Sequence, residues 1–180
     1  MSAKPAVADR VKVWDPAVRI FHWGLVAAFA LAWISSEDAE TLHHLAGYVV
    51  LGLVAFRILW GFVGSRHARF TDFVPKPGQL TGYVGAALRG RERRYLGHNP
   101  AAALMILFLL AIMVVIGGSG WLMTTDWGWG SEVLEGVHEA AANLTLLAIA
   151  VHVGAAIYES WRHRENLVRA MFTGYKRPEA

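Results

Sequence analysis

Four long apolar segments dominate the pattern of hydrophobic and polar positions along the chain. They cover about residues 17–34, 42–63, 100–123 and 137–161. A helix that crosses a bilayer needs about 20 predominantly apolar residues, and only helices and closed barrels satisfy their backbone hydrogen bonds in lipid. The pattern therefore predicts an all-α integral membrane protein in which residues 1–180 form one four-helix bundle domain.

The polar segments between these helices differ in charge. Residues 35–40 and 124–136 contain acids and no Lys or Arg, whereas the 17 Lys and Arg lie near the N-terminus, in helix two, between helices two and three, and in the C-terminal tail. Because Lys and Arg favour the cytoplasmic side, we expect both termini in the cytoplasm and both acidic loops outside. Residues 78–88 are expected to form a short interfacial helix, followed by a basic run that contacts membrane lipid rather than nucleic acid.

Composition narrows the possible chemistry. The chain is 55% hydrophobic and contains no cysteine. The lack of cysteine excludes disulfides, thiolate metal sites, iron–sulfur clusters and covalently attached haem. Any haem would therefore be bound non-covalently, by His or Met.

Four of the five histidines within the apolar segments lie at depths that group them into two pairs. Helices one and two run in opposite directions, so His22 is expected near the cytoplasmic side and His43 near the outside. Helix four carries His138 at its outer end and His152 14 residues further on. That spacing advances about 21 Å and returns to nearly the same face of the helix. The depths therefore pair His22 with His152 and His43 with His138.

An ionisable side chain inside a membrane is costly and usually functional, and two histidines on facing helices can bind a haem iron from both sides. The two pairs therefore predict two non-covalent haem groups and an electron path across the membrane. The alternatives are four hydrogen-bonded core histidines or a non-haem metal site, although no carboxylate accompanies either pair.

The other histidines are weaker candidates. His44 competes with His43, but adjacent helical positions differ by about 100°, and His43 shares its face with Gly47 and Arg57. We therefore favour His43. The remaining candidates are expected to be surface groups rather than ligands, namely His67, His98 and His163.

Two arginines are candidates to bind a carboxylate of the cofactor. Arg57 lies 14 residues after His43, on the same helix face and near the depth of the inner pair. A buried arginine needs a partner, and since no carboxylate is expected at that depth, a haem propionate would serve. Arg19, one turn before His22, is the second candidate, unless it extends to the lipid headgroups.

These residues resemble the bacterial cytochrome b561 and nickel–iron hydrogenase b-type cytochrome superfamily, whose members are four-helix dihaem membrane proteins. The matching motifs are Arg19-Ile20-Phe21-His22-Trp23, His43-x-x-x-Gly47 with Arg57, Gly97-His98-Asn99-Pro100, and His138-Glu139 through Asn143 to His152. The resemblance implies two b haems on the two histidine pairs. It also implies a bacterial inner membrane location and electron exchange between quinone and a partner protein or small oxidant.

Two functions are compatible with these expectations. The first is electron transfer between quinone and an extracytoplasmic redox partner, such as a c-type cytochrome or a hydrogenase. The second is a superoxide-oxidising quinone reductase. Superoxide is an anion, whereas the outer loops carry only acids, so charge favours a basic protein partner. A purely structural membrane anchor would leave the two histidine pairs unexplained.

The quinone site leaves little trace in the sequence. By resemblance to the family and by depth, we expect it beside the inner haem, near Arg57, His98 and Asn99. Asn99 is also placed to cap helix three, with Pro100 at the first helical position. A second copy of the chain, in a homodimer, is a further candidate partner.

Overall fold

Four long helices form the body of the protein, as the hydrophobic pattern predicts. The computed structural model describes residues 10–178. In chain order its elements are strand β1 (Val11–Lys12), helices α1 (Pro16–Ile34) and α2 (Glu40–Val63), a 3-10 turn (Arg66–Ala68), helices α3 (Phe70–Phe73), α4 (Pro77–Ala87), α5 (Pro100–Met123), α6 (Glu132–Arg162) and α7 (Leu167–Thr173), and strand β2 (Tyr175–Lys176). Helices α1, α2, α5 and α6 are long and apolar enough to cross a membrane. The prediction of an all-α membrane bundle is confirmed; residues 1–9 and 179–180 of the proposed 1–180 domain lie outside the described residues.

The helix boundaries follow from capping residues. The side chain of Asp15 accepts a hydrogen bond at the start of α1, and Asn99 does the same for α5; each is followed by proline at the first helical position. The start predicted for helix four, residue 137, is wrong by five residues. The side chain of Ser131 caps α6, and the acids Glu132 and Glu135 in its first turn suit the positive end of the helix dipole.

The four long helices alternate in direction, which gives the bundle two chemically distinct ends. We call the end that contains residues 35–40 and 124–135 the acidic end. The opposite end, here the basic end, contains the start of α1, the 3-10 turn, α3, α4 and the segments after α6. The helix predicted at residues 78–88 is confirmed as α4, one residue earlier, and its position at the membrane interface stays a prediction. The assignment of the basic end to the cytoplasm stays a prediction.

The bundle is packed unevenly. Helix α2 lies between α1 and α5, and α5 packs against α6. The main core cluster joins α1, α2 and α5 through Phe21, Val50, Val54, Leu110 and Met113. Within the described residues, α6 packs closely only against α5 and α7 and approaches α1 and α2 loosely. Space is therefore left between α6 and the α1–α2 pair, where the histidine side chains lie.

Strands β1 and β2 together with α7 cover the basic end, and we call this unit the cap. The sequence did not predict it. Strands β1 and β2 pair antiparallel and bring the two ends of the described chain together. Beneath them, Val13 and Trp14 pack against Ala170 of α7. Glu165 binds Arg94 at 2.8 Å and lies 3.6 Å from the buried Lys176. Burial opposes ionisation of Glu165, but bonds from Arg94 and the Arg177 backbone, with the charge of Lys176, outweigh it and hold its pKa below the ordinary value.

Candidate functional site

The structure brings the four membrane histidines together in the two pairs that the sequence predicts. The ring centroids of His43 and His138 are 6.0 Å apart. Those of His22 and His152 are 6.4 Å apart. Both pairs bridge the loosely packed space beside α6, because one partner of each pair belongs to α6 and the other to α1 or α2.

The two α6 histidines lie on one line of that helix. His138, Thr145 and His152 are spaced by seven residues, which is close to two turns. Thr145 is fully buried between them, and its hydroxyl bonds to the carbonyl of Ala141 in its own helix. Ala141 and Ala148 are small and buried near this line, and small residues allow another group to approach the helix closely.

The pair at the acidic end is fixed by backbone hydrogen bonds. Nδ1 of His43 lies 2.8 Å from the Ala32 carbonyl oxygen, and Nδ1 of His138 lies 3.0 Å from the Ile116 carbonyl oxygen. A carbonyl can only accept, so each Nδ1 carries the hydrogen and each Nε2 keeps its lone pair. The Ser119 hydroxyl adds a contact of 3.2 Å to Nδ1 of His138. This arrangement is typical of metal-binding histidines.

The pair at the basic end is held differently. Nδ1 of His22 is enclosed and has no hydrogen-bond partner. The ring instead packs edge-on against Trp23, with centroids 4.9 Å apart, and Trp23 stacks on Phe172 of α7 at 4.2 Å. Aromatic packing therefore takes the place of the backbone bonds found at the other pair.

The ring separations agree with binding of one iron between each pair. A metal–imidazole bond is about 2 Å long and the nitrogen is about 1 Å from its ring centroid, so two axial histidines have centroids roughly 6 Å apart. Among residues 10–178, no cluster of three or more His, Cys, Asp or Glu could hold a metal ion. Each pair thus offers two ligands, the number of axial positions of a haem iron. The residues present fit haem.

Arg57 is almost completely buried, at 3% exposure. Its guanidinium lies over the rings of Phe70 and Phe73, 5.5 and 5.8 Å from their centroids, while its Nη1 is enclosed without a hydrogen-bond partner. The charge of Asp15, at the start of α1, acts on Arg57, although no ion pair joins the two within the described residues. The carboxylate of Asp15 is nevertheless engaged by Trp60 Nε1 at 3.2 Å and by the Ser65 hydroxyl. Nη1 therefore remains available to a further acceptor.

Arg19 has a defined partner at the basic end. Its guanidinium donates to the carbonyl oxygen of Phe172 in α7, and its Nε is enclosed without a partner. The side chain is thus bound by the protein rather than extended to lipid headgroups. Through Phe172 it also supports the Trp23 ring that packs on His22.

The residues expected near a quinone occupy distinct positions. Asn99 is used as a helix cap, since its Oδ1 accepts from Ala102 N at 2.8 Å. His98 lines a cavity of about 390 Å³ at the basic end, between α3, α4 and the segment that leads into α5. Arg57 touches Phe73, whose ring centroid is 5.0 Å from that of His98. Arg57 and His98 therefore flank one aromatic ring, and Asn99 has a structural role.

The prediction that His67, His98 and His163 are surface groups is wrong for His98, whereas His67 and His163 are partly exposed. His98 packs against Trp14 at 4.6 Å and its Nδ1 is enclosed. Burial, followed by the positive charge of Arg57 and then of Lys176, lowers the pKa of His98 to about 3. His67 contacts Asp72 at 3.1 Å and His163 contacts Glu159 at 3.3 Å, each with less than a fifth of its side chain exposed. The carboxylate four or five residues away was the available signal in both cases.

Comparisons with known proteins identify the family of the chain. The family model of the prokaryotic cytochrome b561 matches residues 13–174. A probable Ni/Fe-hydrogenase B-type cytochrome subunit of Rhodobacter capsulatus is 25% identical, with 92% of this chain and 81% of that protein covered. The corresponding protein of Bradyrhizobium diazoefficiens is 26% identical, with 91% and 85% covered.

A shorter match, to the Ni/Fe-hydrogenase 1 B-type cytochrome subunit of Escherichia coli K12, is 28% identical over 59% of this chain and 57% of that protein. No solved structure matches the chain. The family match spans all four long helices and both histidine pairs. The chain therefore belongs to the prokaryotic cytochrome b561 family and is a multi-pass membrane cytochrome that holds haem b and transfers electrons across the membrane.

Proposed function

We propose that the protein binds two b haems, one between His22 and His152 and one between His43 and His138. The observation that supports this most directly is the pair of ring separations, 6.4 and 6.0 Å, across the space beside α6. The same helix supplies one ligand to each haem, four turns apart, so both haems would lie along one side of α6. The pairs would connect the two ends of the bundle.

The side chains around the pairs would bind and orient the cofactors. At the acidic end, backbone acceptors hold both imidazoles with Nε2 available for iron. At the basic end, the enclosed Nη1 of Arg57 and Nε of Arg19 are donors that a propionate would satisfy. When bound, each haem supplies a one-electron couple, and the protein sets its potential through ligands, charge and burial.

We further propose that the basic end faces the bacterial cytoplasm and that quinone reacts there, in the cavity lined by His98. Described cations are concentrated at this end, and all described ion pairs lie there too. The cavity, at about 390 Å³, falls within the usual size range of small-molecule sites. It is bounded by Phe73, whose ring also contacts Arg57.

The acidic end is proposed to bind the redox partner outside the membrane. Six carboxylates are exposed there, and none forms an ion pair within residues 10–178. They are Glu37, Asp38, Glu40, Asp126, Glu132 and Glu135. Such a surface attracts a basic electron carrier such as a soluble c-type cytochrome and accelerates its encounter. The relatives are named as hydrogenase subunits, so a permanently bound oxidoreductase subunit is the second candidate.

Haem content tests the first part of this proposal. Purified protein should contain two b haems per chain by pyridine haemochrome analysis, and acid–acetone should extract both, since no cysteine can hold them. A single haem per chain would contradict the assignment of both pairs. A matched measurement on the His44→Ala variant should still give two haems, whereas His43→Ala should not.

Salt dependence tests the partner. Electron exchange with a basic c-type cytochrome should slow as salt is added, because charges are screened beyond about 8 Å at physiological ionic strength. Changing Glu37, Asp38 and Glu40 together to Lys should slow it as well, while reduction by a neutral quinol at the other end should be unchanged. Rapid reduction by superoxide, with no salt effect on the cytochrome, would instead support a superoxide-oxidising quinone reductase. A bound oxidoreductase subunit would co-purify.

A further inference from the structure

The cavity at the basic end contains ionisable groups of different kinds, and a quinone reaction requires some of them to exchange protons. Quinol oxidation releases two protons together with two electrons. The residues around the cavity that titrate or carry charge are Asp72, Tyr83, Arg91, Arg93, Tyr95 and His98. Because arginine stays protonated, Arg91 and Arg93 cannot accept these protons.

Two of the remaining groups are poor proton acceptors. Burial, a hydrogen bond to Glu159 and the charge of that carboxylate raise the pKa of Tyr83 well above its usual range, so its hydroxyl stays protonated. Burial and the charges of Arg57, Lys176 and His67 lower the pKa of His98 to about 3, so its ring stays neutral near pH 7. Both groups can hydrogen-bond a ligand but cannot readily carry a proton away.

Asp72 is arranged differently. It lines the cavity, and its Oδ2 lies 3.1 Å from Nδ1 of His67. The side chain of Asp72 is 25% exposed and that of His67 is 18% exposed, so the pair lies between the cavity and the surface. The Asp72 Oδ1 contacts Nε of Arg66 at 3.4 Å, and this arginine is largely solvent-exposed.

The backbone holds this pair against the segment that carries His98. A Cβ added to Gly97 would lie 3.2 Å from Nδ1 of His67 and 3.9 Å from Oδ2 of Asp72. The pair is therefore packed beside the residue that precedes His98. The Asp72 carboxylate and the His67 imidazole thus lie together beside the cavity that His98 lines.

We propose that Asp72 and His67 form a proton-exchange pair for the quinone that reacts in this cavity, an inference that rests on the proposed function. Oxidation of quinol breaks its two O–H bonds and yields quinone, two protons and two electrons. The electrons would pass one at a time to the haems that the two histidine pairs would hold. The Asp72 carboxylate takes each proton in turn and releases it to cytoplasmic water at the exposed edge of the pair, while the Nδ1–H of His67 donates to the carboxylate and holds it in place. Quinone reduction follows the same route in reverse.

The charges that face this pair come from several elements. They are Arg66 in the 3-10 turn, Arg57 in α2, Tyr83 in α4, and Arg91, Arg93, Tyr95 and His98 in the segment between α4 and α5. The arginines among these groups are positively charged, so the cavity beside the pair has a cationic lining.

The test uses the haem-loaded protein with duroquinol as the electron donor. The rate of haem reduction should rise with pH in the wild type, because a deprotonated acceptor is required. Asp72→Asn should slow the reaction about tenfold or more and remove most of the pH dependence, since positioned acid–base groups typically contribute at least that factor. Asp72→Glu should restore the rate of haem reduction and its pH dependence. Arg69→Gln is the control: it neutralises an exposed charge in the same segment and should match the wild type.

Two further measurements separate proton exchange from folding and binding. Haem content should be unchanged in Asp72→Asn, and a hydroxyquinoline-N-oxide analogue of quinol should bind with wild-type affinity by fluorescence quenching. If Asp72→Asn does not fold, His67→Asn replaces it and should show the same loss of pH dependence.

The outcomes distinguish the inference from the function on which it rests. Wild-type rate and pH profile in Asp72→Asn would overturn the inference alone. Loss of analogue binding in that variant would also overturn it, because Asp72 would then bind quinone rather than exchange its protons. Failure of duroquinol to reduce the wild-type haems at any pH would overturn the quinone part of the proposed function, and the proton role with it.

Discussion

The two histidine pairs are similar in spacing but are held by different forces. At the acidic end, backbone carbonyl oxygens of α1 and α5 accept hydrogen bonds from the rings of His43 and His138 and orient them. At the basic end, Nδ1 of His22 has no partner and the ring is held by Trp23. The first pair is oriented by directional bonds, the second by packing.

This difference has a physical consequence. A backbone carbonyl moves only with its helix, so the acidic-end site depends on the positions of α1 and α5 relative to the ligands. The basic-end site depends instead on the cap, because Trp23 stacks on Phe172 and Arg19 donates to the carbonyl of the same residue. We therefore expect disturbances of helix packing to affect the acidic-end haem and disturbances of the cap to affect the basic-end haem.

Loss of a ligand gives the largest expected effect. His138→Ala should remove or disturb the acidic-end haem and leave the basic-end haem, and His152→Ala should do the reverse. The two pairs share no ligand, and the proposed sites are about 21 Å apart along α6. Potentiometric titration of the haem that remains should show that His43→Ala matches His138→Ala and that His22→Ala matches His152→Ala.

The controls for these variants address assembly. Removal of an axial ligand can block insertion of both haems, so the comparison is made on whatever haem remains rather than on yield. Identical titrations for His138→Ala and His152→Ala would show that the two pairs are not independent sites. Loss of the acidic-end haem in His44→Ala but not in His43→Ala would move the α2 ligand by one residue.

The sequence predicted the bundle because membrane helices are constrained locally. Apolar length sets each span, Asn99 and Pro100 mark the start of α5, and the 14-residue spacing of His138 and His152 places both on one face. The depth of each pair follows from alternating helix direction alone. These features involve one helix at a time, or the simple order of helices, and so they can be derived without knowledge of packing.

The cap could not be derived in the same way. Its strands are two residues long, and its contacts join residues far apart in the chain, such as Arg94 with Glu165 and Trp14 with His98. Nothing in the local pattern around His98 marks it as buried, since its neighbours Gly97 and Asn99 are typical of loops. The same reason explains why the partners of Arg19 and Arg57 were missed.

Acid should weaken the cap, and this is the second largest expected effect. The pKa of His98 is about 3 in the folded protein, against an ordinary value of 6.5. Between these values the unfolded state binds a proton that the folded state excludes, so stability is full above pH 6.5 and falls as the pH is lowered. Each pH unit lowers the free energy of unfolding by at most about 1.4 kcal/mol, which amounts to roughly 2 kcal/mol between pH 6.5 and 5.

In the pH range from 6.5 to 5, the effect of protonating His98 is separated from that of protonating the buried carboxylates nearby. Hydrogen bonds hold the pKa values of Asp15 and Glu165 below their ordinary values against the opposing effect of burial, so their contribution is lost only at lower pH, from about 4.5 downwards. Hydrogen exchange of the α7 amides should accelerate from pH 6.5 to 5 after correction for the intrinsic rate. His98→Phe keeps a ring against Trp14 and Phe73 and should abolish the effect; an equal effect in that variant would exclude His98 as its source.

The smallest expected effect comes from one added methyl group, and it tests the acidic-end site alone. A Cβ on Gly120 of α5 would lie 3.1 Å from Cε1 and 3.4 Å from Nδ1 of His138, closer than side chains normally pack, so the ring must turn or shift by a few tenths of an ångström. Gly120→Ala should therefore stretch the hydrogen bond to Ile116 and weaken acidic-end haem binding about tenfold, the lower range for a change in the groups that orient a metal ligand.

Gly118→Ala is the matched control, because a Cβ there meets no atom within 4 Å while the change in helix propensity is the same. Competition for haem with apomyoglobin measures both variants, and the basic-end haem should be unchanged in each. Equal haem loss from Gly118→Ala and Gly120→Ala would mean that α5 responds as a whole helix, and that contact with the His138 ring does not decide the outcome.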